Sequence, residues 1–541
     1  MVSAYSQPAL LGLTLALLCH SAVAQRHVSI VIPGQSQARV NSFLSSLDRL
    51  PVEYKAELTF SFLRQNWAYI SPPKKQEILN HVFSGASSAH YAAPFWYEGS
   101  KRGSYASQIA GTVHGSNVDG LSIQIQVVRM ARNDMPKFAS ASFGEIRLPD
   151  ARASCEDAVV DNLSPYYTTL TLLMQDSRIK TIRGRVKSDF VIDLAREARD
   201  PEKMIPLISS LRDLGLDKRQ MSTIISYIIE NLNEMSASDR EMKAITGRVP
   251  LDLSALIPKL HSMDIADNGL LAAYRQFLVR NLSESRCVND SPDRSRIATS
   301  FNQLLSKDTS PTLLHRFEAD LNQLLSTLNS VTEQSPQSLR VSELTPKKIN
   351  GSAMDPVIPL DANMLTIVNR LSTARQARNL QIYKTGGPGT IEPEKADVNA
   401  LLMYASSPLA VSAGCDSSCV FFSHAQIFVI LIQTVPPGEQ LNQAVLQGIK
   451  YLSYNREEID DPPAFLTLLH ALLAFGKSKS QNLQHVPTVT TNETEPLITE
   501  SNERANLVSE ELRSSADPIV KAYTAFDDIF HPSTNSPLGE E

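Results

Sequence analysis

The residues best suited to chemistry form one hexapeptide, GCDSSC, at positions 414–419. Cys415 and Cys419 are close enough in sequence to form a small disulfide, supply part of a metal site or exchange electrons with another thiol. Cys419 is expected in the first turn of an apolar helix, where backbone N–H groups lower the pKa of a thiol. Thioredoxin-like enzymes use C-x-x-C on a strand–helix turn, whereas three residues separate Cys415 from Cys419 and no sheet is predicted here.

The other cysteines favour a structural interpretation. Apart from Cys19 in the N-terminal leader, the chain contains Cys155, Cys287, Cys415 and Cys419. Four cysteines in an exported chain indicate two disulfides, with three possible connectivities. The simplest connectivity joins Cys155 to Cys287, a long loop worth roughly 4–5 kcal/mol, and leaves Cys415–Cys419 as a local bridge. We predict structural disulfides, with a redox pair and a metal site as alternatives.

Patterns typical of catalytic and metal sites are incomplete. Gly34, Ser36 and Ala38 occupy the positions of a serine-hydrolase elbow, but no alternating strand–helix pattern follows them. No histidine belongs to an H-E-x-x-H or H-x-H motif, and Cys419 and His424 lack the second ligand pair of a structural zinc site. The sequence therefore predicts no catalytic, cofactor-binding or metal-ligating residue and no cofactor.

An enzyme whose site assembles from distant residues remains the alternative. An all-α hydrolase or lyase needs acid and base groups that converge in one pocket. The histidines that test this alternative are His261, His315, His424 and His470. Several of them beside carboxylates in one cleft would favour an enzyme, whereas separate histidines would favour a scaffold.

The N-terminus predicts export. Residues 9–18 form an apolar run, and Ala22-Val23-Ala24 is the small-residue pattern after which a signal peptidase cuts. The run is too short for a permanent membrane anchor. We expect residues 1–24 to be a signal peptide, cleaved after Ala24, and the protein to be secreted or periplasmic.

Charge is balanced along most of the chain. The formal net charge is −6, and the segment from Gly476 onward contains five basic and eleven acidic residues, so the rest is neutral. A neutral body has no electrostatic footprint for nucleic acid, and we expect no nucleic-acid partner. The basic cluster RIKTIRGRVK at 178–187 is interpreted as a solvated connector, with docking to an anionic polymer or lipid surface as its alternative.

Apolar spacing of three and four residues predicts helices, most clearly at 200–232. Asp200 is a natural N-cap, Pro201 suits the first helical position, and Gly215 fits a left-handed stop. Asp217 then begins a second helix. Two amphipathic helices joined by a short turn form an αα-hairpin, and each needs a neighbour to cover its apolar stripe.

The same spacing recurs along the chain and sets the fold class. Helices are predicted at 47–65, 154–175, 268–282, 310–331 and 461–476, with a buried helix at 420–435. Residues 122–128 alternate like a strand but also fit a helix. No residue signature repeats at a fixed period. We predict an all-α, irregular multi-helical fold with αα-hairpin or solenoid-like packing and no integral membrane span.

Polar, proline-containing stretches separate the predicted helices into two bodies. The N-terminal helical body covers 25–332, a linker covers 333–357, and the C-terminal helical body covers 358–475. Residues 476–541 are acidic and poor in apolar side chains, so we expect a disordered tail that lies off the core.

One part of this predicted tail has a helical pattern. Residues 517–530 have the spacing of a short amphipathic helix, with Tyr523, Phe526 and Phe530 on one face. Such a helix either folds back on the protein, stays loose or recruits a partner.

Three segments resemble recurring segments of other chains: LDRLPVEYKAELTFSFL (47–63), FGEIRLPDARASCEDAVVDNLSPYY (143–167) and ESRCVND (284–290). Their sequences are similar to those of an uncharacterised family of exported, mostly helical proteins from soil bacteria. The resemblance covers about residues 25–300 and implies export, helicity and family positions for Cys155 and Cys287. It implies no activity and no ligand.

The sequence favours a non-catalytic exported scaffold or binding module. Helical arrays offer broad surfaces, which would engage another exported protein or an envelope polymer. The alternatives are the all-α hydrolase or lyase and a thiol redox protein that uses Cys415 and Cys419.

Overall fold

The α-helix is the dominant element of the chain. A computed structural model describes residues 37–89, 95–97, 117–149, 159–235, 243–283, 294–305, 343, 363–364, 366–371, 373–374, 377, 394–407, 417–435, 438–455, 465–473 and 512–530. Within these ranges nearly all regular structure is helical. The predicted all-α class is confirmed, while the predicted signal peptide lies outside the described residues.

The described chain begins with five helices that pack in sequence order. They are α1 (Gln37–Leu47), α2 (Val52–Asn66), α3 (Pro72–Gly85), α4 (Gly120–Ala131) and α5 (Pro136–Glu145). Short 3₁₀ turns, Trp67–Tyr69 and Ala86–Ser88, follow α2 and α3. The ambiguous stretch 122–128 is helical because the Asp119 side chain accepts a hydrogen bond from Ser122 N at 2.7 Å and caps α4.

Strands in the described residues are limited to two small antiparallel pairs. β1 (Phe95–Tyr97) pairs with β2 (Val159–Asp161), and β3 (Thr181–Ile182) pairs with β4 (Arg185–Val186). The β3–β4 turn uses Arg183 and Gly184 at positive φ. This turn packs closely on α5, where a Cβ at Gly144 would lie 2.8 Å from Arg183 N, so only glycine fits there.

Helices between 164 and 305 stack in two rows, which we call the stack. They are α6 (Ser164–Gln175), α7 (Lys187–Glu197), α8 (Pro201–Leu211), α9 (Lys218–Glu234), α10 (Lys243–Ser262), α11 (Asn268–Ser283) and α12 (Arg294–Leu305). Row A is α7, α9 and α11, and row B is α6, α8, α10 and α12; each helix contacts the next member of its row. This alternation is the geometry of stacked αα-hairpins.

The residues predicted to begin and end the helices at 200–232 have those roles in the structure. Asp200 accepts a hydrogen bond from Lys203 N at 2.8 Å and caps α8. Asp217 and Gln220 form a capping box at the start of α9, and Gly215 adopts φ +67° between the two helices. The apolar stripes of both helices are buried: Met204, Leu207, Ile208 and Leu211 on α8, and Met221, Ile224, Ile225 and Ile228 on α9.

The C-terminal helices form a compact group. They are α13 (Lys395–Ala405), α14 (Ser417–Thr434), α15 (Glu439–Asn455) and a helical segment at 465–473. α14 packs on both α13 and α15. Most of its described apolar side chains are buried, among them Phe421, Ile427, Phe428 and Leu431. The prediction of a buried helix at 420–435 is confirmed.

The prediction that residues 476–541 lie off the core is wrong for 512–530. The last described helix, α16 (Pro518–Phe530), packs on α1 and α2. The reason is local: Ile519, Tyr523 and Phe526 make one apolar face in an otherwise polar segment, and all three are buried. The predicted helix at 517–530 is confirmed, while the Phe530 side chain lies outside the described residues.

Contacts join the two predicted helical bodies. The ring of Tyr54 on α2 lies 5.5 Å from that of Phe465, and Phe43 on α1 lies 5.6 Å from Phe526 on α16. Both ends of the described chain therefore pack together. The boundaries at 333–357 fall mostly outside the described residues and stay predictions.

Candidate functional site

The candidate disulfide residues lie mostly outside the part of the chain that the structure describes. Cys155, Cys287 and Cys415 lie outside the described residues, and of Cys419 only the backbone is described. Because α14 begins at Ser417, Cys419 does belong to the first turn of the apolar helix, as expected. Structural bridges, the redox pair and the metal site stay predictions.

The described histidines have different partners. His261 on α10 is exposed, with Nε2 3.2 Å from Asp267 Oδ2. His470 contacts Glu57, and His424 lies among aromatic rings of the C-terminal helices. His315 lies outside the described residues. Within the described ranges, no group of three or more histidines, cysteines or acidic residues is arranged to hold a metal ion.

His424 is a buried core histidine. Its ring is 2% exposed and lies 5.0 Å from the ring of Tyr404 and 5.8 Å from that of Tyr451. Burial lowers the pKa of His424 to about 4, because the apolar surroundings disfavour the charged imidazolium. His424 is therefore neutral at physiological pH and packs as an aromatic side chain.

Glu57, His470 and Tyr523 form a polar cluster that we call the clasp. His470 Nε2 lies 2.8 Å from Glu57 Oε1, and the buried Tyr523 hydroxyl donates to Glu57 Oε2. Burial, followed by the negative charge of Glu57, raises the pKa of Tyr523 well above its ordinary value. The clasp joins α2, the segment 465–473 and α16 through one carboxylate.

The clasp has the geometry of a carboxylate that orients a histidine. A carboxylate on one ring nitrogen fixes the tautomer and the orientation of the ring, as in base–carboxylate pairs of enzymes. The His470 side chain is 46% exposed, so its other nitrogen is accessible to solvent. The Tyr523 hydroxyl donates to the second oxygen of the Glu57 carboxylate. The cluster therefore also holds three separate parts of the chain together.

A second polar group lines a cleft of about 600 Å³ between the start of α2 and the end of α3. Lys55 Nζ lies 2.7 Å from Asp48 Oδ1 and 2.7 Å from His81 Nε2. Because an ammonium group only donates, His81 Nε2 is the acceptor of this hydrogen bond. Glu53 also lines the cleft, so its walls carry both signs of charge and favour no single class of ion.

The basic cluster at 178–187 connects α6 to α7, and most of its residues are exposed, as predicted for a solvated connector, but two of its cations also make contacts within the fold. Lys187 Nζ donates to three carbonyls at the end of α6, those of Leu173, Met174 and Asp176. Arg185 pairs with Asp193 on α7. These cations stabilise the β3–β4 hairpin against the neighbouring helices.

Side chains from one helix cap the C-terminus of another, a feature we call cross-capping. Asn231 on α9 donates to Ala195 O and Ala198 O at the end of α7, at 2.8 and 3.1 Å. Arg280 on α11 donates in the same way to Leu232 O and Asn233 O at the end of α9. In each case the donor comes from the next helix of row A.

Row B shows the same arrangement. Lys259 on α10 donates to Leu211 O and Arg212 O at the end of α8. Arg178, which follows α6, donates to Arg132 O and Asn133 O just after α4, the helix that packs on α6. Burial lowers the pKa of Lys259, because the partly buried ammonium group loses contact with water. Cross-capping satisfies carbonyls that a helix end leaves unpaired and fixes the offset between stacked helices.

Sequence reasoning did not find the cross-capping residues. Asn231, Lys259 and Arg280 each fall near the end of a helix, where polar residues are usual. These residues can be recognised as capping donors only after the rows are known. Each donor then lies near the end of its own helix and beside the end of the preceding helix in the row. Glu57 and Tyr523 gave no signal, since they are 466 positions apart.

The fold and these contacts define a class: an all-α protein built on two rows of stacked helices. The chain matches no protein-family model, no curated protein and no solved structure. Among the helices that the structure describes, none combines the length and apolar character required to cross a membrane.

Proposed function

We propose that the protein is an exported, non-catalytic helical scaffold that binds another exported protein or an envelope polymer. The observation that carries the proposal is the two-row stack of α6–α12, because stacked hairpins present long, regular outer surfaces that suit extended partners. Export is supported by the apolar leader and by the resemblance to exported helical proteins.

The contacts of the polar groups support binding over catalysis. His424 is buried among aromatic rings, and His261 and His470 have separate carboxylate partners. Catalytic groups work by converging on one reacting centre. Two cations of the basic cluster, Lys187 and Arg185, are occupied by a helix end and a carboxylate.

The surface of row A is the face we assign to the partner. Ser222 and Ser226 on α9 and Ala272 and Gln276 on α11 are exposed, and they are small or uncharged side chains. Beside them, the Arg196 guanidinium stacks over the ring of Tyr227 at 5.1 Å. Exposed Arg219 and Glu230 flank Ser222 and Ser226 on α9, so this face combines a small, uncharged centre with a charged border.

Photo-crosslinking tests the proposal. A photoreactive residue is placed at Ser226 or Gln276 on row A, and at Asp213 or Ser262 beside row B as matched controls, and each mature protein is mixed with envelope extract of the producing cells. We expect one discrete adduct from row A, which Ser226→Arg weakens without changing the melting temperature. Equal labelling from both rows, or none above background, would refute the assignment.

The thiol redox protein is the second candidate, and one observation favours it. Cys419 lies in the first turn of an 18-residue helix, where N–H groups stabilise a thiolate. Its test is alkylation of the reduced protein across pH 5–9 with Cys419→Ser as control. Selective reaction of Cys419 well below pH 8 would support the redox function, whereas an ordinary thiol profile would remove it.

A further inference from the structure

Helix α16 packs on α1 and α2 in the way that a helical ligand packs in a groove. Ile519, Tyr523, Phe526 and Ile529 make one buried face with the spacing of an amphipathic helix. This face lies on α1 and α2. An amphipathic helix laid into an apolar groove is also a common mode of recognition between separate chains.

Two contacts make the groove selective for this helix. Phe526 inserts beside Phe43, with ring centroids 5.6 Å apart, and the buried Tyr523 hydroxyl donates to Glu57. A helix without a donor at the tyrosine position would leave one Glu57 oxygen without this hydrogen bond, and a helix without the aromatic anchor would leave a cavity. The groove therefore fits the sequence of α16 better than an arbitrary apolar helix.

The tether allows the helix to reach another molecule. Between the segment that ends at 473 and the one that begins at 512 lie 38 residues. A chain of that length spans up to about 130 Å when extended. The connection does not by itself oblige α16 to dock on its own chain.

We propose that the groove formed by α1 and α2 is a self-association surface, and that its partner is the α16 helix of a second copy of this chain. Exchange of identical helices gives a symmetric dimer without any new surface, because each groove receives the contacts it already makes. At low concentration the chain stays closed, because docking of its own helix does not depend on protein concentration, whereas docking between two copies does. Exchange dominates when the local helix is displaced or the chain is concentrated.

A complementary pair of full-length variants tests the proposal. Phe526→Arg removes a competent α16 and leaves the groove intact. Glu57→Lys removes the acceptor of the Tyr523 hydroxyl in the groove and leaves α16 intact. Neither variant can close on itself or dimerise well, but the groove of the first should accept the helix of the second.

Light scattering after size exclusion at 5–100 μM measures the result. We expect each variant alone to be monomeric and the equimolar mixture to show a species of twice the monomer mass. Adding a synthetic peptide of residues 512–530 should dissolve that species, and the same peptide with Phe526→Arg should not. Mixtures that stay monomeric at 100 μM would overturn the proposal, as would dimers formed equally by either variant alone.

Circular dichroism completes the test. If Phe526→Arg or the milder Phe526→Ala unfolds the stack together with α16, then α16 is an integral part of the core and the proposal fails. Retention of most of the helical signal by both variants is the expected result, because α16 packs on α1 and α2, whereas the helices of the stack pack chiefly on members of their own rows.

Discussion

The stack and the C-terminal helices are stabilised over different distances in sequence. In the stack, each helix packs on the next member of its row, and cross-capping donors such as Asn231 and Arg280 reach only to that neighbour. The C-terminal helices instead reach back to α2, where Tyr523 and Glu57 lie 466 positions apart. Local contacts cost little chain entropy, whereas closure over hundreds of residues must first offset a larger entropy loss.

The difference predicts where each part of the molecule opens. Stacked helices depend on nearest neighbours, so a defect in one should weaken the helices beside it. The C-terminal contacts with α2 should open as a unit, because α16 and the segment 465–473 share the Glu57 carboxylate.

Truncation of a core aromatic residue in the stack should have the largest effect. Phe277 on α11 is fully buried, and Phe277→Ala should cost about 3–5 kcal/mol through lost burial and a residual cavity. Phe526→Ala on α16 should cost less, since the helix can detach without opening the stack. Urea denaturation followed by circular dichroism measures both. Equal losses of helical signal at equal urea concentration would contradict the distinction.

A pH titration should separate the C-terminal helices from α4. Because burial lowers the pKa of His424 to about 4, the folded protein binds fewer protons there than the unfolded chain. This contribution to stability is complete above pH 6.5 and is lost as the pH falls towards 4, by up to about 3 kcal/mol. His424→Asn should remove the acid loss, as seen in urea midpoints measured from pH 7.5 to 4.

Asp119 should respond in the opposite direction. This carboxyl is fully buried at the start of α4, and burial, partly offset by hydrogen bonds from Ser122, raises the pKa of Asp119 to about 6. The folded protein then binds the extra proton, so stability falls as the pH rises from about 4 to 6.

The Asp119→Asn variant tests whether stability falls as the pH rises, and asparagine is still a favourable N-cap residue. The variant should be more stable than the parent at pH 7.5, by up to about 3 kcal/mol, and should match it near pH 4. Urea midpoints of the variant and the parent, measured over the same pH range as for His424, give this comparison. A variant that is less stable than the parent at pH 7.5 would show that the charged carboxylate is favourable at this position.

Loss of a cross-capping donor should have an intermediate effect confined to the stack. Arg280→Met keeps the aliphatic bulk but leaves the carbonyls of Leu232 and Asn233 without their donor, at a cost of about 1–3 kcal/mol. Lys218→Met is the matched control, because the Lys218–Asp264 pair is exposed and should contribute little. Thermal unfolding compares them; equal melting temperatures for the two variants would mean that cross-capping does not stabilise the rows.

The sequence was most informative where structure is set by neighbouring residues. Asp200, Asp217 and Gly215 predicted the ends of α8 and α9 because caps and left-handed turns are local chemistry. Solenoid-like packing of αα-hairpins was predicted, but the helices that belong to each row were not, since no residue signature repeats and cross-capping uses asparagine, lysine or arginine without distinction.

The docking of α16 was also missed, for a different reason. Residues 476–541 are poor in apolar side chains on average, and that average conceals the single apolar face of α16. The clasp is a contact among positions 57, 470 and 523, which only a folded chain brings together. Export and the disulfides involve residues outside the described ranges and stay predictions.

The smallest effect is expected from Tyr523→Phe. The change removes one hydroxyl and leaves the ring in the groove, so it should cost about 1 kcal/mol. The loss should appear as faster amide exchange in α16 alone. Thr524→Val is a control on the same helix, because the Thr524 hydroxyl donates only to carbonyls of α16 itself. Equal acceleration in both variants would mean that helix propensity, and not the clasp, sets the stability of α16.

Hydrogen–deuterium exchange of the full-length Glu57→Gln variant tests the central comparison most directly. Glu57 is the acceptor shared by His470 and Tyr523, so weakening it should speed exchange in the segment 465–473 and in α16 together. Helices α6–α12 should keep the parent rates, since they pack on members of their own rows and, at α6, on α4, and the clasp joins none of them. Faster exchange throughout α6–α12, or a change in only one of the two C-terminal segments, would contradict the account of a locally held stack and a jointly clasped C-terminus.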